Sequence, residues 1–104
     1  MPDTWVTTAQ VSMACQTEPM DATEFIWMDG EMVPWEDAKV HVLVHGLHYG
    51  TGAFEGIRAY ETPSGTAVFR LTDHMDRLRR SSKALGIPLA YEVPELVAAA
   101  KETI

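Results

Sequence analysis

Residues that could carry out chemistry are concentrated between positions 39 and 60, in the stretch KVHVLVHGLHYGTGAFEGIRAY. It combines histidines, glycines, aromatic residues and one arginine: His41, His45, His48, Gly46, Gly50, Gly52, Gly56, Tyr49, Phe54 and Arg58. Glycine relaxes the backbone and allows other groups to approach closely. The composition is therefore more typical of a pocket wall than of a core strand.

Simpler interpretations of the same residues remain open. The three histidines are four and three residues apart, a spacing that suits metal ligands on one helical face. No second cluster of Cys, Asp or His completes a ligand shell, so the sequence disfavours a metal site. Tyr49 and Phe54 are by default aromatic core residues. Arg58 is by default a cross-strand partner for a carboxylate such as Glu55 or Glu61.

A second candidate site lies on a predicted helix for which Thr72 is a plausible N-cap. At about 100° per residue, His74, Arg77 and Ser81 fall on one flank of the helix, beside its apolar stripe. A guanidinium at the edge of a buried face needs an anion. Arg77 therefore either pairs with Asp73, four residues earlier, or binds a phosphate through its planar fork of donors.

The elements that position these residues indicate an α+β domain. Asp29-Gly30 favours a hairpin between FIWM and EMVPW. We expect residues 40–44 to be extended. The remaining pattern predicts a mostly antiparallel sheet from residues 25–33, 54–60 and 66–70, with two helices packed on one face.

The first predicted helix carries a buried stripe with helical spacing: Leu71, Met75, Leu78, Ser82 and Leu85. Gly86 and Pro88 end this helix, and Val93-Pro94-Glu95 begins the second. The second helix reaches Ile104 without a stop signal. We therefore expect residues 25–104 to form a small domain that is incomplete at its C-terminus. Residues 1–24 show no clean period, which predicts a disordered arm or a spurious extension before a start at Met20.

Composition limits the classes of partner. The chain has 104 residues and a formal net charge of −7, which disfavours nucleic acid and anionic membranes as partners. Its single cysteine, Cys15, suits a reducing cytoplasm. No apolar run approaches the roughly 20 residues that a transmembrane helix needs, and residues 1–19 lack the pattern of a signal peptide. We expect a cytoplasmic protein.

Two segments together resemble a known family. IWMDGEMVPWEDAKVHVLVHGLHYGTGAFEGIRAY, followed by FRLTDHMDRLRRSSKAL, is similar to the N-terminal small domain of bacterial branched-chain amino acid aminotransferases, which are fold type IV pyridoxal phosphate enzymes. The most specific part is HYGTGAFEGIR followed by an HxxRLxxS pattern at His74, Arg77, Leu78 and Ser81. D-amino acid aminotransferases and aminodeoxychorismate lyases share the HxxRL helix but tend to carry FGDG where this chain has YGTG.

The resemblance implies roles for four residues. Arg77 would hold the phosphate of pyridoxal phosphate. Tyr49 and Phe54 would line the pocket for an apolar substrate side chain, and Arg58 would lie near the substrate carboxylate or its hydrogen-bond network. The implied reaction moves the amino group of leucine, isoleucine or valine to 2-oxoglutarate, in an enzyme expected to be a homo-oligomer, such as a homodimer.

The resemblance also implies that the catalytic residue is missing from the chain. The family holds its cofactor as a Schiff base on a lysine of the second domain, which would lie beyond Ile104. Lys39, Lys83 and Lys101 do not lie in a matching motif. We expect an N-terminal fragment that is inactive alone. The alternatives are the small domain of another fold type IV enzyme and a non-catalytic module that binds a phosphorylated ligand.

Overall fold

The structure is a computed structural model and describes residues 21–104. Its strands are β1 (Phe25–Met28), β2 (Glu31–Pro34), β3 (Ala59–Thr62) and β4 (Gly65–Val68). Its helices are α1 (His45–Tyr49), α2 (Leu71–Ala84) and α3 (Val93–Glu102), and a 3-10 turn spans Trp35–Asp37. The strands form two separate antiparallel hairpins, β1–β2 and β3–β4. The predicted α+β class is confirmed.

The first hairpin forms as the Asp29-Gly30 pair predicts. Both residues have positive φ, 51° and 96°, which is the turn geometry that matches the twist of the flanking strands. Gly30 also lies against the segment that leads into α3, because a Cβ at this position would come within 3.0 Å of the Tyr91 hydroxyl. The Tyr91 ring meets Trp27 edge-on, with centroids 5.0 Å apart. The hairpin is thus fastened to the segment that precedes α3.

The prediction that residues 40–44 are extended is wrong. The backbone turns at residues 42 and 43 and enters α1. His41 causes the turn, because its Nδ1 accepts the Leu43 N–H at 3.0 Å and its carbonyl accepts the Val44 N–H at 3.0 Å. Gly50 then ends α1 in the left-handed region, with φ of 66°.

The single predicted sheet is also wrong. Residues 54–58 have no regular structure, and β3 pairs only with β4 through the local turn at Pro63 and Ser64. The glycines around Phe54 and Ile57 leave this segment free to follow α2 instead of joining a ladder. Strand β4, predicted to run to residue 70, ends two residues earlier, at Val68. Each sheet is therefore one hairpin.

Helix α2 begins one residue before the predicted cap. Arg70, with φ of 53°, precedes it and donates from Nε to Asp73 at 2.6 Å, so Thr72 is not the N-cap. At the other end, Gly86 has φ of 69°, and the Ile87 N–H donates to the Ser82 carbonyl at 2.9 Å. The predicted stop at Gly86 is confirmed as a left-handed helix termination.

The core lies where α2 and α3 pack together. Leu71, Met75 and Leu96 form its buried centre. The apolar stripe of α2 is confirmed, except that Leu85 is exposed. Partly buried side chains close the core: Ile57, Val68, Leu78, Leu89, Tyr91, Val93, Val97 and Ala100.

Two polar contacts fix how α3 begins. The Glu92 and Glu95 side chains form a reciprocal capping box, and the Glu92 carboxylate also accepts hydrogen bonds from Arg79 of α2. The two helices are thus joined by the apolar core and by one ion pair at the start of α3.

At the other end of α3, the Thr103 hydroxyl donates to the Ala100 carbonyl at 2.8 Å.

The interpretation of residues 1–24 as a disordered or spurious arm mostly concerns residues 1–20, which lie outside the described residues. The boundaries 1–24 and 25–104 stay predictions. Within residues 21–104, no helix has the length and apolar character needed to cross a membrane.

Candidate functional site

A carboxylate and a guanidinium from distant parts of the chain meet at the first half of α2. Arg77 donates from Nε to Oε1 of Glu55 at 2.8 Å, and from Nη2 to Oε2 at 2.6 Å. Such a two-pronged pair is stronger and more directional than a single contact. The proposed partner Asp73 is wrong, since Asp73 pairs with Arg70 instead.

His74 completes the cluster from the preceding turn of α2. Its Nδ1 lies 2.8 Å from Oε2 of Glu55 and 3.3 Å from Nη2 of Arg77. A protonated Nδ1 can donate only to the carboxylate, which is the nearer group and carries the negative charge. The Glu55 side chain, 7% exposed, is therefore enclosed by donors from two residues of one helix.

The cluster keeps Glu55 charged. Hydrogen bonds from Arg77 and then from His74 lower the pKa of the Glu55 carboxyl from its usual 4.5 to about 2. The same carboxylate raises the pKa of the Arg77 guanidinium. Both charges persist across the whole physiological range, so the ion pair is a fixed feature of the site.

The lowered pKa of Glu55 predicts an acid-dependent part of the stability. The contribution of the Glu55 carboxylate to the free energy of unfolding is fully present above pH 4.5. It is lost as the pH falls through about 2, because the carboxylate of the folded state binds a proton more weakly than that of the unfolded state. Urea unfolding of the chain at several pH values between 6 and 2 should show a free energy of unfolding that falls more steeply for the native sequence than for Glu55→Gln. Glu61→Gln, an exposed strand residue, should follow the native curve, and parallel curves for the native chain and Glu55→Gln would contradict the prediction.

Arg58 and Arg77 line two adjoining clefts. One cleft, of about 390 Å³, is lined by Phe69, Arg70, Asp73, His74, Arg77 and Arg80. The other is lined by Gly56, Ile57, Arg58, Tyr60, Phe69 and His74. Phe69 and His74 are common to both. The first has three guanidinium groups and one carboxylate, so its donor set suits an anion.

Arg58 does not act as the cross-strand partner of a carboxylate. Glu55, one of the two partners considered, is bonded to Arg77 and His74. Among the described residues, Arg58 makes no salt bridge with Glu61 either. Its exposed guanidinium borders the second cleft, and no carboxylate of residues 21–104 lies within salt-bridge distance of it.

Tyr49 and Phe54 do not line either of these two clefts. Neither is a core residue: Tyr49 is 75% exposed and Phe54 is 90% exposed. Tyr49 ends α1, where its ring contacts that of His45 with centroids 4.5 Å apart. Phe54 precedes Glu55 in the segment without regular structure. The structure thus places Arg58 and Arg77 in adjoining clefts and leaves the two aromatic residues as exposed surface.

The three lysines do not line either of the two clefts. Lys83 borders a different cleft beside Gly86, and Lys101 borders one beside Leu71 and Ile104. Lys39 is exposed before α1. Within the described part of the chain, no group of three or more His, Cys, Asp or Glu side chains is placed to hold a metal ion.

The sequence pattern does not indicate Glu55 as part of the Arg77 site. Local spacing makes Glu55 a candidate partner only for nearby Arg58, because spacing cannot reveal a contact across 22 residues. One feature of the sequence could have indicated this role. Glu55 is the only acidic residue between positions 50 and 60, in a glycine-rich stretch that has few other side chains to anchor its backbone.

Comparison with known proteins places the chain in a family. A sequence profile of the family described as "Amino-transferase class IV" matches residues 52–104. The chain is 52% identical over 81 residues to the branched-chain-amino-acid aminotransferase of Salmonella typhimurium, and the match covers 78% of this chain and 26% of that protein. This chain belongs to the class IV aminotransferases.

Solved structures of class IV aminotransferases share the fold. The T.th. branched-chain amino acid aminotransferase complexed with N-(5'-phosphopyridoxyl)-L-glutamate superposes with a TM-score of 0.74 and 52% identity, over 76% of this chain and 27% of that one. The same enzyme complexed with 4-methylvaleric acid gives the same values. The chain spans about a quarter of the length of these relatives.

Proposed function

We propose that this chain supplies the phosphate-binding side of a pyridoxal phosphate-dependent branched-chain amino acid aminotransferase. The observation that carries the proposal is the guanidinium of Arg77, held by Glu55 at the edge of a cleft rich in cations. It occurs on the helix with the HxxRL pattern, in a chain about half identical to enzymes named for this activity. Arg77 is the residue proposed to bind the cofactor phosphate.

The donor chemistry of the cleft fits a phosphate. Guanidinium groups bind phosphate through paired donors, and Arg77 retains donors that Glu55 does not use. The bound cofactor would supply an electron sink for the amino-group transfer. The lysine that must hold it is proposed to lie beyond Ile104, which is supported by the fact that Lys39, Lys83 and Lys101 do not line either cleft.

Residues on the substrate side are proposed from their chemistry. Arg58 is an exposed cation in the cleft that adjoins that of Arg77, which suits an interaction near a substrate carboxylate. Tyr49 and Phe54 present aromatic surface for an aliphatic side chain, and become a pocket wall only when other parts of the enzyme cover them. The 4-methylvaleric acid bound by the T.th. enzyme has the carbon skeleton of leucine.

Finer properties follow from the same proposal. Leucine, isoleucine and valine are the proposed amino donors, 2-oxoglutarate is the proposed acceptor, and the complete enzyme is proposed to be a cytoplasmic homodimer. The relatives described above are named branched-chain aminotransferases. Their identity to this chain does not favour D-amino acid aminotransferase, aminodeoxychorismate lyase or a non-catalytic module.

A chimera tests the proposal. Residues 25–104 of this chain replace their counterpart in the Salmonella typhimurium enzyme, which supplies the remaining three quarters of the fold. We expect the purified chimera to bind pyridoxal phosphate and to transaminate leucine, isoleucine and valine with 2-oxoglutarate at no less than about one tenth of the parent rate, a change of ~1.4 kcal/mol in activation free energy.

Two further substrates make the result specific. D-alanine tests the D-amino acid alternative, and aminodeoxychorismate tests the lyase alternative. A folded chimera with the parent's circular dichroism spectrum that prefers either of these, or that converts none of the substrates, would show that the proposed function is wrong.

A further inference from the structure

We infer that Glu55 is a positioning residue for phosphate binding: its carboxylate holds one edge of the Arg77 guanidinium and presents the opposite edge to the phosphate. The inference rests on the proposed function and extends it to a residue for which the family resemblance implied no role. The geometry of the Glu55–Arg77 pair carries it.

An arginine has two edges that can each make a pair of parallel hydrogen bonds. One edge contains Nε and Nη2, and the other contains Nη1 and the second hydrogen of Nη2. Glu55 occupies the first edge with both of its oxygens, at 2.8 and 2.6 Å. Three of the five N–H donors remain. Two of them, one N–H on Nη1 and the second N–H on Nη2, form the fork that matches a phosphate, on a side chain that is 60% exposed.

Positioning has a physical benefit in this location. An exposed arginine side chain samples many rotamers, and a ligand that binds it must restrict them. The contact with Glu55 restricts them before the ligand arrives, which is preorganisation. His74 in turn donates to Oε2 at 2.8 Å and fixes the carboxylate. The low pKa of Glu55 means that the carboxylate stays charged wherever the enzyme works.

Two other roles for Glu55 predict different behaviour. As a competitor, it would occupy Arg77 in place of the phosphate and would have to leave, so that its removal tightens binding. As a tether only, Glu55 would attach the irregular segment around Phe54 to α2. Its removal would then lower the stability of the fold, and any effect on phosphate binding would not depend on Arg77. The occupied edge and the free edge are different, which favours positioning over competition.

The test measures the dissociation constant of pyridoxal phosphate in the chimera by fluorescence quenching. Glu55→Gln keeps the shape of the side chain, removes its charge and leaves only one oxygen to accept. We expect the dissociation constant to rise about tenfold. In an Arg77→Ala background the same substitution should change it less than twofold, because a residue that acts through Arg77 has no effect without it.

Matched controls separate the outcomes. Glu61→Gln, an exposed residue of β3, should leave the dissociation constant unchanged. Tighter binding by Glu55→Gln would establish competition. Equal weakening with and without Arg77, together with a lower melting temperature, would establish a tether. Either result overturns the inference, and so does unchanged binding.

The proposed function can fail independently of the positioning role. A chimera that binds pyridoxal phosphate with the expected coupling between Glu55 and Arg77, but does not transaminate branched-chain amino acids, would retain the positioning role and refute the function. Active transamination with no coupling between the two residues would do the reverse.

Discussion

Replacing Arg77 by alanine is expected to weaken pyridoxal phosphate binding by about 100-fold in the chimera that carries this chain. Hydrogen bonds to a charged group contribute about 1.5–3 kcal/mol, and alanine removes the whole guanidinium edge that we propose faces the phosphate. Arg77→Lys should recover only part of the loss, because an ammonium group is a single point of charge. The measurement is the dissociation constant, obtained by titrating the apoenzyme with the cofactor.

Arg80→Ala is the matched comparison for this loss. Arg80 lies on the same helix and pairs with Asp76 at 3.1 Å, with both side chains largely exposed, so it contributes general positive charge and little else. We expect its effect to be severalfold at most. Since Arg77→Ala also removes the main partner of Glu55, the double variant Arg77→Ala/Glu55→Gln must show the same loss. Equal affinities of the Arg77→Ala and Arg80→Ala variants for pyridoxal phosphate would show that Arg77 does not bind the phosphate.

Local signals predicted the fold where one residue pair decides the backbone. Asp29 and Gly30 determine the first hairpin because few other residues adopt positive φ at both turn positions. Gly86 ends α2 for the same reason. The α2 stripe followed from helical periodicity, and its burial against Leu96 of α3 is the usual consequence of an apolar face.

The predictions of secondary structure are wrong where a side-chain hydrogen bond or a distant contact determines the backbone conformation. Residues 40–44 have the β-branched composition of a strand, but His41 bonds to the backbone two residues ahead and turns the chain into α1. Residues 54–58 look β-compatible, yet Glu55 attaches them to α2 instead of a neighbouring strand. Neither the His41 hydrogen bond nor the Glu55 contact leaves a periodic pattern in the sequence, so propensity alone could not predict them.

The same limit applies to the site. Helical spacing placed His74 and Arg77 on one flank of α2, and both now bond to one carboxylate. Spacing also offered Asp73 as the nearest anion, and that partner is wrong because Arg70 takes it at the start of the helix. Finding Glu55 required the tertiary structure. The roles of Tyr49, Phe54, Arg58 and Arg77 stay predictions.

The 104-residue chain by itself is expected to have no transaminase activity, a larger effect than any single substitution. Its three lysines do not line the clefts of Arg58 and Arg77, so we expect none of them to hold a cofactor whose phosphate is proposed to bind Arg77. Pyridoxal phosphate added to the chain should therefore give no visible absorption band from a specific lysine adduct. Exposed Tyr49 and Phe54 should also cause self-association, which size-exclusion chromatography would detect.

Complementation distinguishes missing residues from misfolding. A separately expressed remainder of the Salmonella typhimurium enzyme, mixed with the chain, should restore the absorption band and part of the transamination of leucine, isoleucine and valine. The chain with Arg77→Ala should restore much less at the same concentration, because the phosphate contact is then absent from the assembled site. Borohydride trapping of the cofactor on Lys39, Lys83 or Lys101 of the isolated chain, with turnover, would contradict the prediction and would make the chain a catalyst without the family's lysine.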